Sequence, residues 1–176
     1  MVVDQSAFSM ELTMAALRGF GTKASHCCRN ADDAQQILKL KPVDLMLVDC
    51  EVEGMDGHAL VRWLRHSGLE PNAHVPIIMT ASHVRQTQVG AVRDCGANFL
   101  LSRPFSASVV LERILWMARD NRPFLEAGDY KGPDRRFTES SPRARSERRA
   151  DMVRLAALNA ERAAEKEAQA PEISQS

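Results

Sequence analysis

The first 121 residues alternate between short, almost continuous apolar runs and longer segments whose apolar residues recur every three or four positions. Runs of the first kind suit strands buried on both faces of a parallel sheet, and segments of the second kind suit amphipathic helices. "MVVD" (1–4) predicts a first strand, and "AFSMELTMAALRGF" (7–20) predicts a helix that stops at Gly21. "TKASHCC" (22–28) predicts a second strand, followed by "NADDAQQILKL" (30–40) as a helix capped by Asn30 or Asp32. "VDLMLVD" (43–49) has the character of a central strand, "GHALVRWLRHSG" (57–68) of a helix and "HVPIIMTA" (74–81) of another buried strand. "HVRQTQVGAVRDCG" (83–96) is helical and weakly apolar, "ANFLLSRPF" (97–105) is a strand, and "SASVVLERILWMARDN" (106–121) is an amphipathic helix. Five strands alternating with five helices predict an α/β fold, a doubly wound five-stranded parallel sheet.

Beyond Asn121 this pattern is lost. "RPFLEAGDYKGPDRRFTESSPRARSERR" (122–149) mixes Pro, Gly, Ser and charge without a period, which predicts an irregular, partly disordered segment. "ADMVRLAALNAERAAEKEAQA" (150–170) is rich in helix formers with Glu-to-Lys and Glu-to-Arg spacings, so a C-terminal helix follows, marginal by itself, and "PEISQS" frays. The expected organisation is a domain over 1–121, an arginine-rich segment over 122–151, and a helix with a frayed end over 152–176.

Composition adds a compartment and removes some functions. Apolar residues make up 44% of the 176, enough for a packed core, and basic and acidic residues balance at 23 each. That balance conceals a local asymmetry. Between Lys131 and Arg149 stand seven bases and three acids, a net excess of four positive charges within a neutral chain. Aromatic residues are few, which argues against a base-stacking platform for long nucleic acid, and no apolar run nears the roughly 20 residues that span a bilayer. The start "MVVDQSAF" lacks the basic end and apolar stretch of a signal peptide. The cysteines Cys27, Cys28, Cys50 and Cys95 have neither CxxC nor Cys/His ligand spacing, so they are expected as reduced thiols of a cytoplasmic protein. His26, His58, His66, His74 and His83 are scattered, which does not suggest a metal cluster.

Ligands of such sheets gather beyond the carboxyl ends of the strands. Asp4 and Gln5 fall there after strand 1, Asp49 after strand 3, Thr80 after strand 4 and Arg103-Pro104 after strand 5. The expected cluster is a central carboxylate flanked by a second acid, a hydroxyl and a cation. No catalytic dyad or triad accompanies it, so a dedicated enzyme is not expected. Asp49 can equally be a strand-end acid paired with Arg103.

The combination of "VVDQ", "LMLVDCEVEGMDG", "IIMTAS" and "SRPF" at these strand ends resembles the CheY-like response-regulator receiver domain, of flavodoxin-like fold, over roughly residues 1–120. The resemblance implies that Asp49 is the phospho-acceptor, supplied by a histidine kinase. It implies further that Asp4 and Asp49 hold Mg2+ beside the backbone of Glu51, that Thr80 bonds the phosphoryl group, and that Arg103-Pro104 carries a cis bond. Three positions depart from the family pattern. Gln5 stands for the second acid, Arg103 for a lysine and Leu100 for the aromatic switch residue. A neutral amide is a poor ligand for a hard cation, and a planar fork does not replace a compact ammonium. The phosphoryl chemistry and the hold on Mg2+ are accordingly expected to be weak.

The cluster "DRRF...PRARSERRAD" is arginine-rich where lysine would solubilise equally well, and arginine is the residue of bidentate phosphate and guanine recognition. Arg145 and Arg149 form an RxxxR pattern, with Asp151 beyond it. A solvated tail and a nucleic-acid contact remain alternatives, although the acids Glu139 and Glu147 disfavour a long phosphate backbone. A receiver followed by such a segment resembles the CheY-like cyclic di-GMP effectors of the flagellar motor. That resemblance implies that Arg135, Arg136, Arg143, Arg145, Arg148, Arg149 and Asp151 contact cyclic di-GMP. The stretch from about Arg122 to Arg149 lacks apolar residues to order itself, so it is expected to be a mobile linker that the ligand orders. The resemblance implies also that the face of helix 4, strand 5 and helix 5, from Val84 to Met117, meets a motor switch protein, with recruitment to the flagellar pole. Trp63 and Trp116 are expected in the core, and Tyr130 either stacks on guanine or anchors a loop.

Overall fold

The computed structural model describes residues 1–22, 25–82 and 86–134. The chain runs β1 (Val2–Val3), α1 (Ala7–Gly19), β2 (Cys27–Cys28), α2 (Ala31–Leu40), β3 (Met46–Asp49), α3 (Gly57–His66), a 3-10 turn (Asn72–His74), β4 (Ile77–Ala81), α4 (Gln86–Asp94), β5 (Phe99–Ser102) and α5 (Ala107–Ala118). β1 to β5 form one sheet in the order β2-β1-β3-β4-β5, every pair parallel. The expected doubly wound sheet is therefore what the chain builds, with shorter outer strands than the apolar runs suggested.

Alternation along the strands divides the core. Val3, Met46, Val48, Ile77 and Met79 pack with Leu38 of α2, Leu60, Val61 and Leu64 of α3 and Val92 of α4. Val2, Leu47, Ile78 and Leu101 face the other way, onto Met14 and Leu17 of α1 and Val110 and Met117 of α5. Trp63 and Trp116 are half-buried against these two layers, as expected. Side-chain oxygens set where the helices begin. Ser6 accepts from the Ser9 N–H, Asn30 from Asp33, Asp56 from His58 and Ser106 from Val109, each satisfying a donor that the first helical turn leaves open. Of the two capping candidates for α2, Asn30 takes the role. Burial pushes the Cys28 thiol up to about 11, Cys50 to about 12 and Cys95 to about 11, while Cys27 is exposed.

The stretch after Asn121 departs from expectation. Residues 122–134 do not form an irregular linker: β6 (Phe124–Ala127) and β7 (Tyr130–Pro133) pair antiparallel as a hairpin. Its two-residue loop opens with Gly128 at φ +58°, the conformation a tight hairpin turn asks of its first central residue. Tyr130 is an anchor here, its hydroxyl donating to the Pro133 carbonyl at 2.5 Å. The base is closed by Asp134 N–H to Pro123 O (2.9 Å) and by Arg122, whose Nη1 donates to Asp134 O at 3.1 Å and whose Nε donates to Asp120 at 2.8 Å.

An arginine forms the floor of this hairpin. Arg65, on the last turn of α3, is fully buried. Its Nε donates to Gly96 O (3.0 Å), its Nη1 to Ala73 O (2.8 Å), and its Nη2 reaches Asn98 Oδ1 (3.5 Å). The Phe124 ring covers the guanidinium at 5.3 Å and itself meets His74 at 4.3 Å. β7 comes so close that a Cβ on Gly96, which sits at φ +94°, would lie 2.4 Å from the Lys131 carbonyl. Only glycine permits that approach.

Candidate functional site at the carboxyl ends of the strands

Four of the residues singled out by position converge. The short β1 delivers Asp4, β3 ends in Asp49, and β4 places Thr80 directly beside Asp49 in the parallel register. Arg103 follows β5 with its backbone N–H held by Ala81 O at 2.8 Å, and the Arg103-Pro104 bond is cis, as is Glu70-Pro71. The arginine side chain then reaches back across the strand ends. Its Nη2 donates to Asp4 Oδ2 at 2.5 Å and to Thr80 Oγ1 at 2.7 Å, and its Nη1 lies 2.5 Å from Asp49 Oδ2. One planar cation thus spans both acids.

The cluster is largely withdrawn from water: the Asp4 and Asp49 side chains are 2% and 7% exposed, and Arg103 is 20% exposed. Burial raises Asp49 above the usual carboxylate range. The Glu51 N–H (3.0 Å) and Arg103 pull in the opposite direction, and the Asp4 charge adds to the rise. The acids' remaining oxygens are also engaged, Asp4 Oδ1 by the Ser6 N–H at 2.8 Å and Asp49 Oδ1 by that of Glu51.

Other expected residues fall differently. Glu51 contributes its backbone N–H, while its side chain is exposed. Gln5 is exposed as well, and the contact made there is through its main-chain carbonyl, to Arg29 Nη2 at 3.4 Å. Leu100 is half-buried against the core layer that holds Met79. Arg135, Arg136, Arg143, Arg145, Arg148, Arg149 and Asp151 lie outside the described residues. Arg29, Ser6 and the buried Arg65 were not singled out beforehand. Arg65 shares the apolar face of α3, since it follows Val61 by four positions and Leu64 by one. That spacing was the one available signal.

Magnesium is the cation implied by the resemblance, and it demands near-octahedral oxygen ligands at about 2.0–2.1 Å. The residues present do not fit it. The two carboxylate oxygens turned toward each other already hold a guanidinium, a divalent ion between them would face that like charge, and a neutral glutamine stands where a further acid would have to compensate.

Comparison with known proteins agrees with this architecture. The chain matches chemotaxis protein CheY-3 of Vibrio cholerae at 23% identity over 114 residues, 65% of this chain and 86% of that protein. It also matches histidine kinase 1 of Arabidopsis thaliana at 24% identity over 78 residues, 44% of this chain but only 6% of the kinase. Among solved structures, a response regulator from Chloroflexus aurantiacus J-10-fl superposes with a TM-score of 0.61 at 27% identity, covering 68% of this chain and 95% of that one. Residues 1–115 match the response regulator receiver domain family, a span that takes in all five strands of the parallel sheet and the Asp4–Asp49–Thr80–Arg103 cluster, and the chain belongs to that family.

Proposed function

We propose that this chain is a CheY-like signalling protein that takes cyclic di-GMP on its arginine-rich segment and thereby changes its contact with a flagellar motor switch protein. The observation that carries the reading is the charge pattern of the sequence, seven bases to three acids between Lys131 and Arg149, six of the bases arginine. Cyclic di-GMP presents two phosphates and two guanines. Arginine can grip guanine O6 and N7 as a pair and neutralise phosphate, and an Asp151 carboxylate can accept from guanine N–H groups. Two further features support it. The strand-end acids are already compensated by Arg103, which leaves the basic segment as the place for an anionic input. Helices α4 and α5 each bear an exposed apolar side chain, Val89 and Leu115, available to a protein partner.

Calorimetry of the full chain with cyclic di-GMP should give saturable heat. Arg145→Ala and Arg149→Ala should each weaken binding about tenfold, the loss of one good bidentate contact, without lowering the melting temperature. A chain ending at Asp134 keeps the hairpin and should give no heat; binding undiminished by that truncation would move the site elsewhere. Binding to random duplex DNA, salt-dependent and without preference for the dinucleotide, would instead assign the segment to nucleic acid.

A second reading is a conventional receiver phosphorylated at Asp49 by a histidine kinase, and the convergence of Asp4, Asp49, Thr80 and Arg103 favours it. Intact mass after treatment with acetyl phosphate and Mg2+ decides the point. With Arg103 spanning the acids, no phosphoryl adduct is expected. An adduct that disappears in Asp49→Asn would establish the second reading.

A further inference from the structure

We propose that Arg103 is the resident cation of the strand-end site: it takes the place of a divalent metal and excludes Mg2+, so that the geometry of the acidic cluster is set by the chain itself. Three observations converge on this. First, the guanidinium makes three contacts at once, to Asp4, Asp49 and Thr80, which a lysine ammonium, a single point of charge, could not span with the same geometry. Its Nε is left buried without a hydrogen-bond partner. The fork is thus committed to the acids at the expense of its own third donor.

Second, the site carries few acids for a single cation to hold. Arg103 faces two carboxylates, and the position after Asp4 is the neutral, exposed Gln5. A third acid there would leave a single guanidinium unable to balance the site, whereas two acids sharing one guanidinium leave a residual charge that the Ser6 and Glu51 N–H groups help to hold. Third, access is closed. Mg2+ gives up its water reluctantly and needs carboxylate oxygens free to receive it, yet each oxygen of Asp4 and Asp49 already accepts a hydrogen bond or ion pair. Entry would require Arg103 to release all three partners while its root stays tied to Ala81. Arg103 is a specificity-determining residue in this sense: it decides which cation the site holds.

The test uses the full chain and Mn2+ as a paramagnetic stand-in for Mg2+. In nitrogen–proton correlation spectra of the wild type, millimolar Mn2+ should leave the amides of Asp4, Gln5, Asp49, Cys50 and Glu51 unbroadened. Its melting temperature should not move between MgCl2 and NaCl of equal ionic strength. Arg103→Ala frees the facing oxygens, so the same amides should broaden and MgCl2 should raise its melting temperature by about 5 °C. Arg103→Lys retains the charge and is the second variant; it too should admit Mn2+. Selective broadening of those five amides in the wild type would overturn the proposal, and so would their failure to broaden in both variants. None of these readouts involves the segment beyond Asp134, so the result stands apart from the outcome with cyclic di-GMP.

Discussion

Replacing Arg65 with alanine should lower the melting temperature by about 10 °C. The substitution leaves the carbonyls of Gly96 and Ala73 buried without a donor, removes the surface on which Phe124 rests and opens a cavity beneath the hairpin. Stranded buried acceptors and the lost packing together cost about 3–5 kcal/mol, and a domain of this size loses about 2–4 °C for each kcal/mol. Burial brings the Arg65 guanidinium down only to about 10, so it is charged at neutral pH and its hydrogen bonds are charge-assisted. Hydrogen exchange should show where the loss falls: amides of β6 and β7 should lose protection before those of β3 and β4. Arg65→Lys should recover part of the stability, since an ammonium can reach one carbonyl but cannot lie flat under the ring. A loss under about 0.5 kcal/mol, the range of an ordinary surface change, would contradict this account of the hairpin's floor.

Arg103→Ala should be as costly near neutral pH and much less so in mild acid. Removing the bridge leaves two buried carboxylates facing each other, and breaking a buried ion pair from one side costs about 3–5 kcal/mol. Asp49 already sits above its ordinary range with Arg103 present, and Arg103 is among the groups holding it down, so the variant's carboxyl rises further. An unfolded aspartate titrates near about 3.9. Between that value and the raised native one, the folded variant holds a proton that the unfolded chain has released. Its stability therefore increases as pH falls through the window. Denaturant unfolding without divalent ions, compared with wild type near pH 7.5 and near pH 5, should show the deficit shrinking toward the acid side. A deficit of equal size at both would mean that the lost contacts, and not the stranded charges, dominate.

Much of the parallel sheet could be read from local pattern because its strands are buried on both faces. "VDLMLVD" and "HVPIIMTA" keep their polar residues to the ends and are apolar through the middle, and the helices around them keep one apolar stripe. The strand ends then named Asp4, Asp49, Thr80 and Arg103, since position in such a sheet fixes which side chains meet. The span of Arg103 over both acids was less accessible. Pairing with Asp49 could be foreseen, but the simultaneous reach to Asp4 depends on β1 lying beside β3 and on the angle at which the chain leaves β5. The hairpin escaped for a different reason. Its strands are short and half polar, and what stabilises them is Arg65 and Gly96, residues about 60 and 30 positions away. A Gly-Asp pair flanked by "FLEA" and "YKGP" was the available clue, a two-residue turn signal that the surrounding charge obscured. Arg65 was hidden by its residue type, because arginine is seldom fully buried, and only neighbouring carbonyls turned inward make that tolerable.

The hairpin rests on His74 and Gly96, which come just before β4 and β5, and on Arg65, itself held by Ala73 and Asn98, whereas Thr80 stands near the opposite tip of β4 beside Asp49 at the end of β3. The hairpin therefore lies at one pole of the domain and the carboxylates occupy the other, with roughly 10 Å of β4 between them. A reporter label on the Gly128–Asp129 turn and a second near Ser82 would consequently watch the two poles independently within one molecule, so that an event at either could be timed against the other.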